Sequence, residues 1–316
     1  MLLLPGWYIG DSWYYIHNSE AHCFFLTAPE TISVAERWNH WDIGHAVSID
    51  LRRWEYVGLA LERGKPGSWD SQKLATGSVI SHAGRFWMAY TGIENVGGYW
   101  IPRTGIAVSN DLYHWRKMDG NPTTEPDGIV YGSGSRATNL SHSWRDPFLM
   151  RIDDTFYQYI CARPADESAA GTVGLASSSD LRQWSFKLPV VAQPFARELE
   201  VPQVYQINSL YYLVFCTTAD RILPDSKARN PAHCYRSSDY VMVGESPFGP
   251  FEMQGTGDIH PEEQETIPYA SQLVNWQGEW LLLGTVVCSM LSQPSCDYIT
   301  DPISLFISDT GLQSIW

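Results

Sequence analysis

Three stretches decide the fold: Ser48-Ile-Asp-Leu-Arg-Arg-Trp54, Ser109-Asn-Asp-Leu-Tyr-His-Trp115 and Ser178-Ser-Asp-Leu-Arg-Gln-Trp184. Each follows a small apolar run, Gly44-His-Ala-Val47, Gly105-Ile-Ala-Val108 or Gly174-Leu-Ala-Ser177. The three tryptophans are 61 and 69 residues apart. Ser and Asp side chains at such positions hydrogen-bond the local backbone and close a turn, while Trp covers the strand behind it. A degenerate fourth copy, Ser237-Ser-Asp-Tyr240, runs on to Ser246-Pro-Phe-Gly-Pro-Phe251, and Leu305-Phe-Ile-Ser-Asp309 suggests a fifth. A period of this length signals a repeat architecture and outranks any local motif.

Between the copies lie aromatic and branched runs: Arg85-Phe-Trp-Met-Ala-Tyr90, Thr155-Phe-Tyr-Gln-Tyr-Ile160, Leu210-Tyr-Tyr-Leu-Val-Phe215 and Glu279-Trp-Leu-Leu-Leu-Gly284. Each follows a hairpin signal and reads as a strand. One period therefore holds an inner strand, an aromatic strand, a Gly/Ala strand and an outer Trp strand. Four strands in roughly 65 residues describe one propeller blade. The 316 residues hold about five such periods, so residues 1–316 are expected to form a single all-β, five-bladed propeller with four antiparallel strands per blade. A two-sheet sandwich or a β-solenoid is the alternative, but neither repeats at this spacing.

Composition narrows the function. The chain has 21 Lys+Arg against 35 Asp+Glu, a net charge of −14. An acidic surface repels phosphate backbones and anionic lipid, so neither a nucleic acid nor a membrane is the expected partner. The 14 Trp, 17 Tyr and 11 Phe suit flat platforms for ring-shaped ligands. Met1-Leu-Leu-Leu4 stops at Pro5-Gly6 without a basic lead-in, so it reads as neither signal peptide nor spanning helix. A cytoplasmic location is expected, and a trimmed secreted precursor would look the same. The six cysteines (23, 161, 216, 234, 288 and 296) form no CxxC pair. Those at 23, 161, 216 and 288 sit in apolar runs as buried thiols. His17, His22, His40, His45 and His82 lack metal-ligand spacing and read as packing or substrate contacts. No metal and no cofactor is expected.

The first strand of each propeller blade lines the central channel. The five candidates are Ile9-Gly-Asp-Ser-Trp13, Ala75-Thr-Gly-Ser-Val79, Trp144-Arg-Asp-Pro-Phe148, Glu198-Leu-Glu-Val-Pro-Gln203 and Thr266-Ile-Pro-Tyr-Ala270. Three carry an acid at matching phase: Asp11, Asp146 and Glu200. Taken singly, each has a plainer reading, as turn residue, local ion pair with Arg145, or solvated edge. Jointly they converge on one end of the channel. Crowded carboxylates raise one another's pKa, and a pair flanking a glycosidic bond is the minimal machinery for hydrolysing it.

Here the chain resembles the five-bladed β-propeller glycosidases of families 32, 68 and 43 over about residues 7–310. The closest motifs are those of family 32. They are His40-Trp-Asp-Ile-Gly-His-Ala-Val-Ser48 running into Asp50-Leu-Arg-Arg-Trp54, then Thr76-Gly-Ser-Val79, Tyr90-Thr-Gly92, Arg145-Asp-Pro147 and Glu200-Val-Pro202. The resemblance implies that Asp11 is the nucleophile of a retaining enzyme, Glu200 the general acid/base, and Asp146 the stabiliser of the oxocarbenium-like transition state. Gly10-Asp-Ser-Trp13 departs from the family's Asn-Asp-Pro-Asn-Gly. The chain is expected to end at the fifth blade and so to lack the C-terminal β-sandwich of family 32, a layout closer to families 43 and 68. In family 43 the same acids would serve an inverting reaction on arabinosides or xylosides. A carboxyl separation of about 5–5.5 Å favours retention and about 6.5–9.5 Å inversion.

The leading expectation is a glycoside hydrolase acting on terminal furanosides, β-fructofuranosidase-like, with an oligosaccharide or glycoside as partner. An inverting arabinofuranosidase or xylosidase and a non-catalytic carbohydrate-binding propeller are the alternatives. A protein-interaction propeller fits less well, because it needs no converging acids. A phosphorolytic relative would use Arg136, Arg145 or Arg163. Trp13, Trp38, Trp41, Trp69, Ser78 and Arg145 are the expected substrate contacts.

Overall fold

The computed structural model describes residues 1–133, 143–166, 170–287 and 297–316. Arg136, Cys288 and Cys296 lie outside these residues. Five antiparallel sheets follow one another along the chain as the five blades of a propeller. Blade 1 is β1 (Trp7–His17), β2 (Glu20–Pro29), β3 (Asp42–Ser48) and β4 (Glu55–Leu61). Blade 2 is β5 (Lys73–His82), β6 (Arg85–Val96), β7 (Tyr99–Ser109) and β8 (Trp115–Lys117). Blade 3 is β9 (Trp144–Ile152), β10 (Thr155–Ala162), β11 (Thr172–Ser178) and β12 (Ser185–Lys187). Blade 4 has β13 (Glu200–Ile207), β14 (Leu210–Thr217) and β15 (Ser238–Gly244). Blade 5 has β16 (Tyr269–Trp276), β17 (Glu279–Val286), β19 (Ile303–Ser308) and β20 (Gly311–Ile315), with the short β18 (Tyr298–Ile299) also paired to β17. The described helices are short, α1 (Pro224–Arg229) and a 3-10 turn over Arg37–Asn39, and none is long and apolar enough to cross a membrane.

The second strand of each blade explains the aromatic runs. It is buried on both faces, so its odd and even residues serve different neighbours. Phe24 packs with Met88 and Tyr90 between blades 1 and 2, while Cys23 and Phe25 pack with Leu281 and Leu283 between blades 1 and 5. Trp87 and Ala89 turn to Leu149 and Phe156 of blade 3. Leu213 and Phe215 meet Tyr159, and Tyr212 and Val214 meet Leu282. Five apolar clusters thus fill the five gaps between blades, and the ring closes where β1 meets β16 and β17.

The three repeated turns have the same bonding. Ser48, Ser109 and Ser178 each donate to the Asp two residues on, at 3.1, 3.0 and 3.0 Å. Each Asp accepts two further backbone amides, Arg52 and Arg53 in blade 1, Tyr113 and His114 in blade 2, Arg182 and Gln183 in blade 3. The intervening Leu51, Leu112 and Leu181 have φ of 60°, 69° and 60° and are fully buried. A leucine held in the left-handed region is a cost the turn bears in order to aim that side chain between blades. The Ser237-Ser-Asp-Tyr240 copy is different. Ser238 and Asp239 begin β15, and buried Asp239 accepts the Ser271 amide at 3.0 Å. The outer edge of blade 4 is reduced to isolated bridges, Val243 to Glu252 and Tyr240 to Asp258. Pro247 and Pro250, which lack amide protons, precede that edge.

Candidate active site

Every inner strand slips register near its start. The slip lies between Ile9 and Ser12 in β1, Ala75 and Gly77 in β5, Glu200 and Gln203 in β13, and Tyr269 and Gln272 in β16. In β9 it lies between Arg145 and Phe148, opposite Cys161 and Tyr159. Asp146, Val201 and Ala270 there have φ of 61°, 50° and 54°. A bulge leaves a residue out of the ladder and re-aims side chains. Five bulges at one phase therefore turn five sets of side chains into the same end of the channel.

That end is a cavity of about 440 Å³, within the range of small-ligand sites. Asp11, Asp146, Glu200 and Arg145 line it together with Trp38 and Trp41. The three sequence-identified acids and these three predicted contacts are thus brought into one place. Trp38 and Trp41 meet edge to face, centroids 5.7 Å apart, in the segment between β2 and β3.

Three expected contacts are elsewhere, and each correction has a packing reason. Trp13 follows the β1 bulge and turns into the gap between blades 1 and 2, fully buried beside Phe24 at 6.2 Å. Trp69 fills the space left by Gly92 and Gly105, where an added Cβ would come within 2.4 and 2.7 Å of its ring. Ser78 ties two inner strands together, donating to the Pro147 carbonyl at 2.9 Å and accepting the Leu149 amide at 2.8 Å. Arg163 is buried and lies outside the cavity lining. The histidines are also outside it: His22 and His45 stack at 5.2 Å between blades, and His82 meets Phe156 at 4.8 Å.

Sequence reasoning missed several lining residues. Glu198, Arg221 and Tyr269 join Glu200 and Arg145 in one hydrogen-bonded cluster. Arg145 Nη2 donates to Glu198 Oε2 at 2.7 Å and to Glu200 Oε1 at 2.6 Å. Arg221 Nη1 donates to Glu200 Oε1 at 2.7 Å and also to Glu198. Tyr269 donates to Glu200 Oε2 at 2.6 Å. Burial and the Glu200 charge hold the Tyr269 phenol well above its ordinary pKa, so it remains a donor. Tyr269 and Thr76 occupy the bulge phase of blades 5 and 2, a signal already present in the five inner-strand segments. Arg221, in the segment after β14, carries no repeat signal. Lys73 and Trp100 complete the wall, with the Lys73 ammonium 3.9 Å above the Trp100 ring.

Asp146 is held from three sides. Thr76 donates to its Oδ1, the Val201 amide to its Oδ2 at 3.2 Å, and its own amide donates to Thr91 Oγ1 at 2.8 Å. Burial raises its pKa against Arg145, Thr76 and Val201, which all pull down. Burial thus outweighs the neighbouring Arg145 charge at Asp146. Arg145 Nε is 3.4 Å from Asp146 Oδ2, but its Nη2 is bonded to the two glutamates. Burial, then the charges of Asp146 and Glu200, push Asp11 up to about 8. The arrangement can hold one proton among several acids beside fixed cations, which is what acid-assisted cleavage of a polar bond needs. Among the described residues no cluster of His, Cys, Asp and Glu has the grouping of a metal site.

The family described as "Glycosyl hydrolases family 32 N-terminal domain" matches residues 12–267. Asp11 stands one residue ahead of that match, so its place in the site rests on the pocket geometry. A sucrose-6-phosphate hydrolase of Escherichia coli is 28% identical over 225 residues, 66% of this chain and 41% of that protein. A raffinose invertase of Escherichia coli is 28% identical over 218 residues, again 66% of this chain and 41% of that protein. The chain therefore spans about two fifths of the length of these curated relatives. The inulosucrase of Halalkalicoccus jeotgali, solved with kestose, shares the fold with a TM-score of 0.77 at 18% identity, over 98% of this chain and 87% of that one. With the matched family covering most of its length, the chain belongs to glycosyl hydrolase family 32.

Proposed function

We propose that the protein hydrolyses terminal β-fructofuranosides by a retaining, two-step reaction in the Asp11–Asp146–Glu200 pocket. The observation that carries this reading is the convergence of acids from blades 1, 3 and 4 on one sugar-sized cavity. Asp11 attacks the anomeric carbon, and the bond to the leaving oxygen breaks with its electrons going to that oxygen. Glu200 gives the leaving oxygen its proton. Water then attacks the same carbon, returns a proton to Glu200 and releases Asp11. Asp146, gripped by Thr76, Val201 and Thr91, holds ring hydroxyls whose hydrogen bonds strengthen as positive charge develops. Tyr269, Arg145 and Arg221 fix the direction of Glu200, and preorganised donors of this kind cost no reorganisation during the reaction.

The β-fructofuranoside class is supported by the family and by the relatives, whose names specify sucrose 6-phosphate and raffinose chemistry. The reading is tested with sucrose, raffinose and kestose beside p-nitrophenyl arabinofuranoside and xyloside, following the first-formed anomer by NMR. Fructose released as the β-anomer, with no activity in Asp11→Asn, is expected. Cleavage of the arabinofuranoside or xyloside alone, or a first-formed inverted anomer, would overturn it.

A further inference from the structure

In every blade one residue of the second strand pairs with the inner strand just before the bulge. These residues are Thr27 opposite Ile9, Thr91 opposite Ala75, Cys161 opposite Arg145, Cys216 opposite Glu200 and Thr285 opposite Tyr269. All five are buried. Each has a small side chain with one hydroxyl or thiol hydrogen to donate. Thr27 donates to the Tyr8 carbonyl at 2.9 Å and Cys216 to the Glu200 carbonyl at 3.6 Å, each within its own blade. Two members of the ring cross a blade boundary and meet an acid-bearing bulge. Thr91 of blade 2 accepts the Asp146 amide of blade 3 at 2.8 Å. Thr285 of blade 5 donates to the Gly10 carbonyl of blade 1 at 2.8 Å. Asp11 is the next residue.

Asp11 depends on such an anchor more than the other two acids do. The Asp146 carboxylate is gripped by Thr76 and the Val201 amide, and that of Glu200 by Arg145, Arg221 and Tyr269. Among the described residues no donor is bonded to the Asp11 carboxylate. Its lone pairs are left for bonding to carbon, as a nucleophile requires, but nothing at the carboxylate end sets its direction. The backbone must do so. The slip between Ile9 and Ser12 leaves Gly10 and Asp11 outside the register of β1 with β2. The Thr285 bond reaches this stretch from the opposite side of the ring closure. A nucleophile displaced by about 1 Å can lose about 100-fold in rate.

We propose that Thr285 is the positioning residue for Asp11, holding the Gly10–Asp11 backbone of blade 1 from blade 5 so that the carboxylate faces the reacting carbon. This rests on the retaining fructofuranosidase reading given above. Thr285 lies outside the cavity lining and acts through Gly10, without touching substrate. Closure of the ring between blades 5 and 1 thereby becomes a condition for setting the nucleophile.

The test compares Thr285→Ser, Thr285→Cys and Thr285→Val with Thr27→Val. The last removes the same kind of bond at the same phase, but from Tyr8. Serine keeps the hydroxyl, cysteine keeps a longer bond of the kind Cys216 makes, and valine keeps only the shape. With sucrose as substrate, kcat should fall about 10- to 100-fold in Thr285→Val, with KM within about 3-fold. Thr285→Ser should recover kcat, and Thr285→Cys should lie between. Thr27→Val should lose Tm to a similar extent but keep kcat within about 3-fold. Should Thr285→Val fail to fold, Thr285→Cys against Thr285→Ser carries the same comparison. A second measurement needs no turnover. The Asp11 carboxyl carbon, assigned with Asp11→Asn, is followed by NMR against pH. Its midpoint, about 8 in the natural protein, should fall in Thr285→Val, because a loosened side chain turns away from its buried position and from Asp146 and Glu200. It should hold in Thr285→Ser and Thr27→Val. An unchanged kcat or an unmoved midpoint in Thr285→Val overturns the proposal, as do equal kcat losses in Thr285→Val and Thr27→Val. A moved midpoint in a protein that cleaves no fructofuranoside would instead count against the fructofuranosidase reading alone.

Discussion

Arg145 sits next to Asp146 in the chain, yet its Nη2 reaches across to blade 4 and donates to Glu200 Oε1 at 2.6 Å. The same nitrogen is 2.7 Å from Glu198 Oε2. One side chain of blade 3 thus fixes two carboxylates of its neighbour, and Arg221 completes the cluster from the segment after β14.

Removing that link should destabilise the fold as well as the site. Arg145→Met takes a guanidinium away from Glu198, whose side chain is 6% exposed. Breaking a buried ion pair from one side costs about 3–5 kcal/mol. Urea denaturation should show this loss, with Arg145→Lys intermediate because lysine keeps the charge but not the planar, pre-organised guanidinium. A loss below about 1 kcal/mol would mean that the remaining partners of the two glutamates suffice.

The proton on Asp11 gives a signed pH dependence. Its pKa in the fold is about 8, against an ordinary value of 3.8. Between those values the folded state holds a proton that the unfolded chain has lost. This contribution to stability is therefore present at low pH and is lost as pH rises toward 8. Asp11→Asn removes the effect, so its Tm should gain on the natural protein as pH rises from 5 to 8. Attack requires the ionised form, so kcat/KM should climb over the same range. A flat activity profile from pH 6 to 8 would contradict the placement of the proton.

Asp146→Asn should lower kcat by about 10²-fold or more, with a smaller change in KM, because the lost hydrogen bonds strengthen in the transition state. The Asp146 charge also raises Asp11. The rising limb of the pH profile should therefore move to lower pH in this variant. Unchanged kcat with a raised KM would reduce Asp146 to a ground-state contact.

Leu112→Ala tests the repeated turn apart from catalysis. Leu112 is fully buried between blades 1 and 2 at φ 69°. Truncating a buried leucine costs about 2–5 kcal/mol. Chemical denaturation should show a loss in that range, with KM for the substrate unchanged in the folded protein. A variant as stable as the natural protein would mean that Leu112 contributes little to the blade gap.

The fold was legible because the Ser-x-Asp-Leu-x-x-Trp turn closes itself. Ser109, Asp111 and Leu112 make their bonds within five residues, so their identities survive in the local pattern. Asp11, Asp146 and Glu200 were legible for a related reason, since all three lie at a bulge that recurs once per blade. Residues fixed only by distant neighbours were not. Arg221 acts through Glu198 and Glu200 from a segment outside the repeat. Lys73 gains its meaning from Trp38 and Trp100, 35 residues before it in one case and on another strand in the other. Trp13 and Trp69 misled because a tryptophan near an acid in sequence can point into a blade gap once a bulge or a glycine pair sets its direction. Ser237-Ser-Asp-Tyr240 misled because Ser and Asp can also begin a buried strand when a partner amide, here that of Ser271, awaits the carboxylate.

The division of labour between Glu200 and Asp11 is the central claim, and Glu200→Gln tests it most directly. Glutamine keeps the size of the side chain and removes its proton. The measurement is kcat/KM of this variant for sucrose and for an aryl β-fructofuranoside with an activated leaving group. General acid catalysis contributes about 10²- to 10⁴-fold, so sucrose hydrolysis should fall by that factor. The activated substrate, which needs little protonation, should fall by less than about 10-fold. An equal loss on both substrates would contradict the account and leave Glu200 as a binding residue.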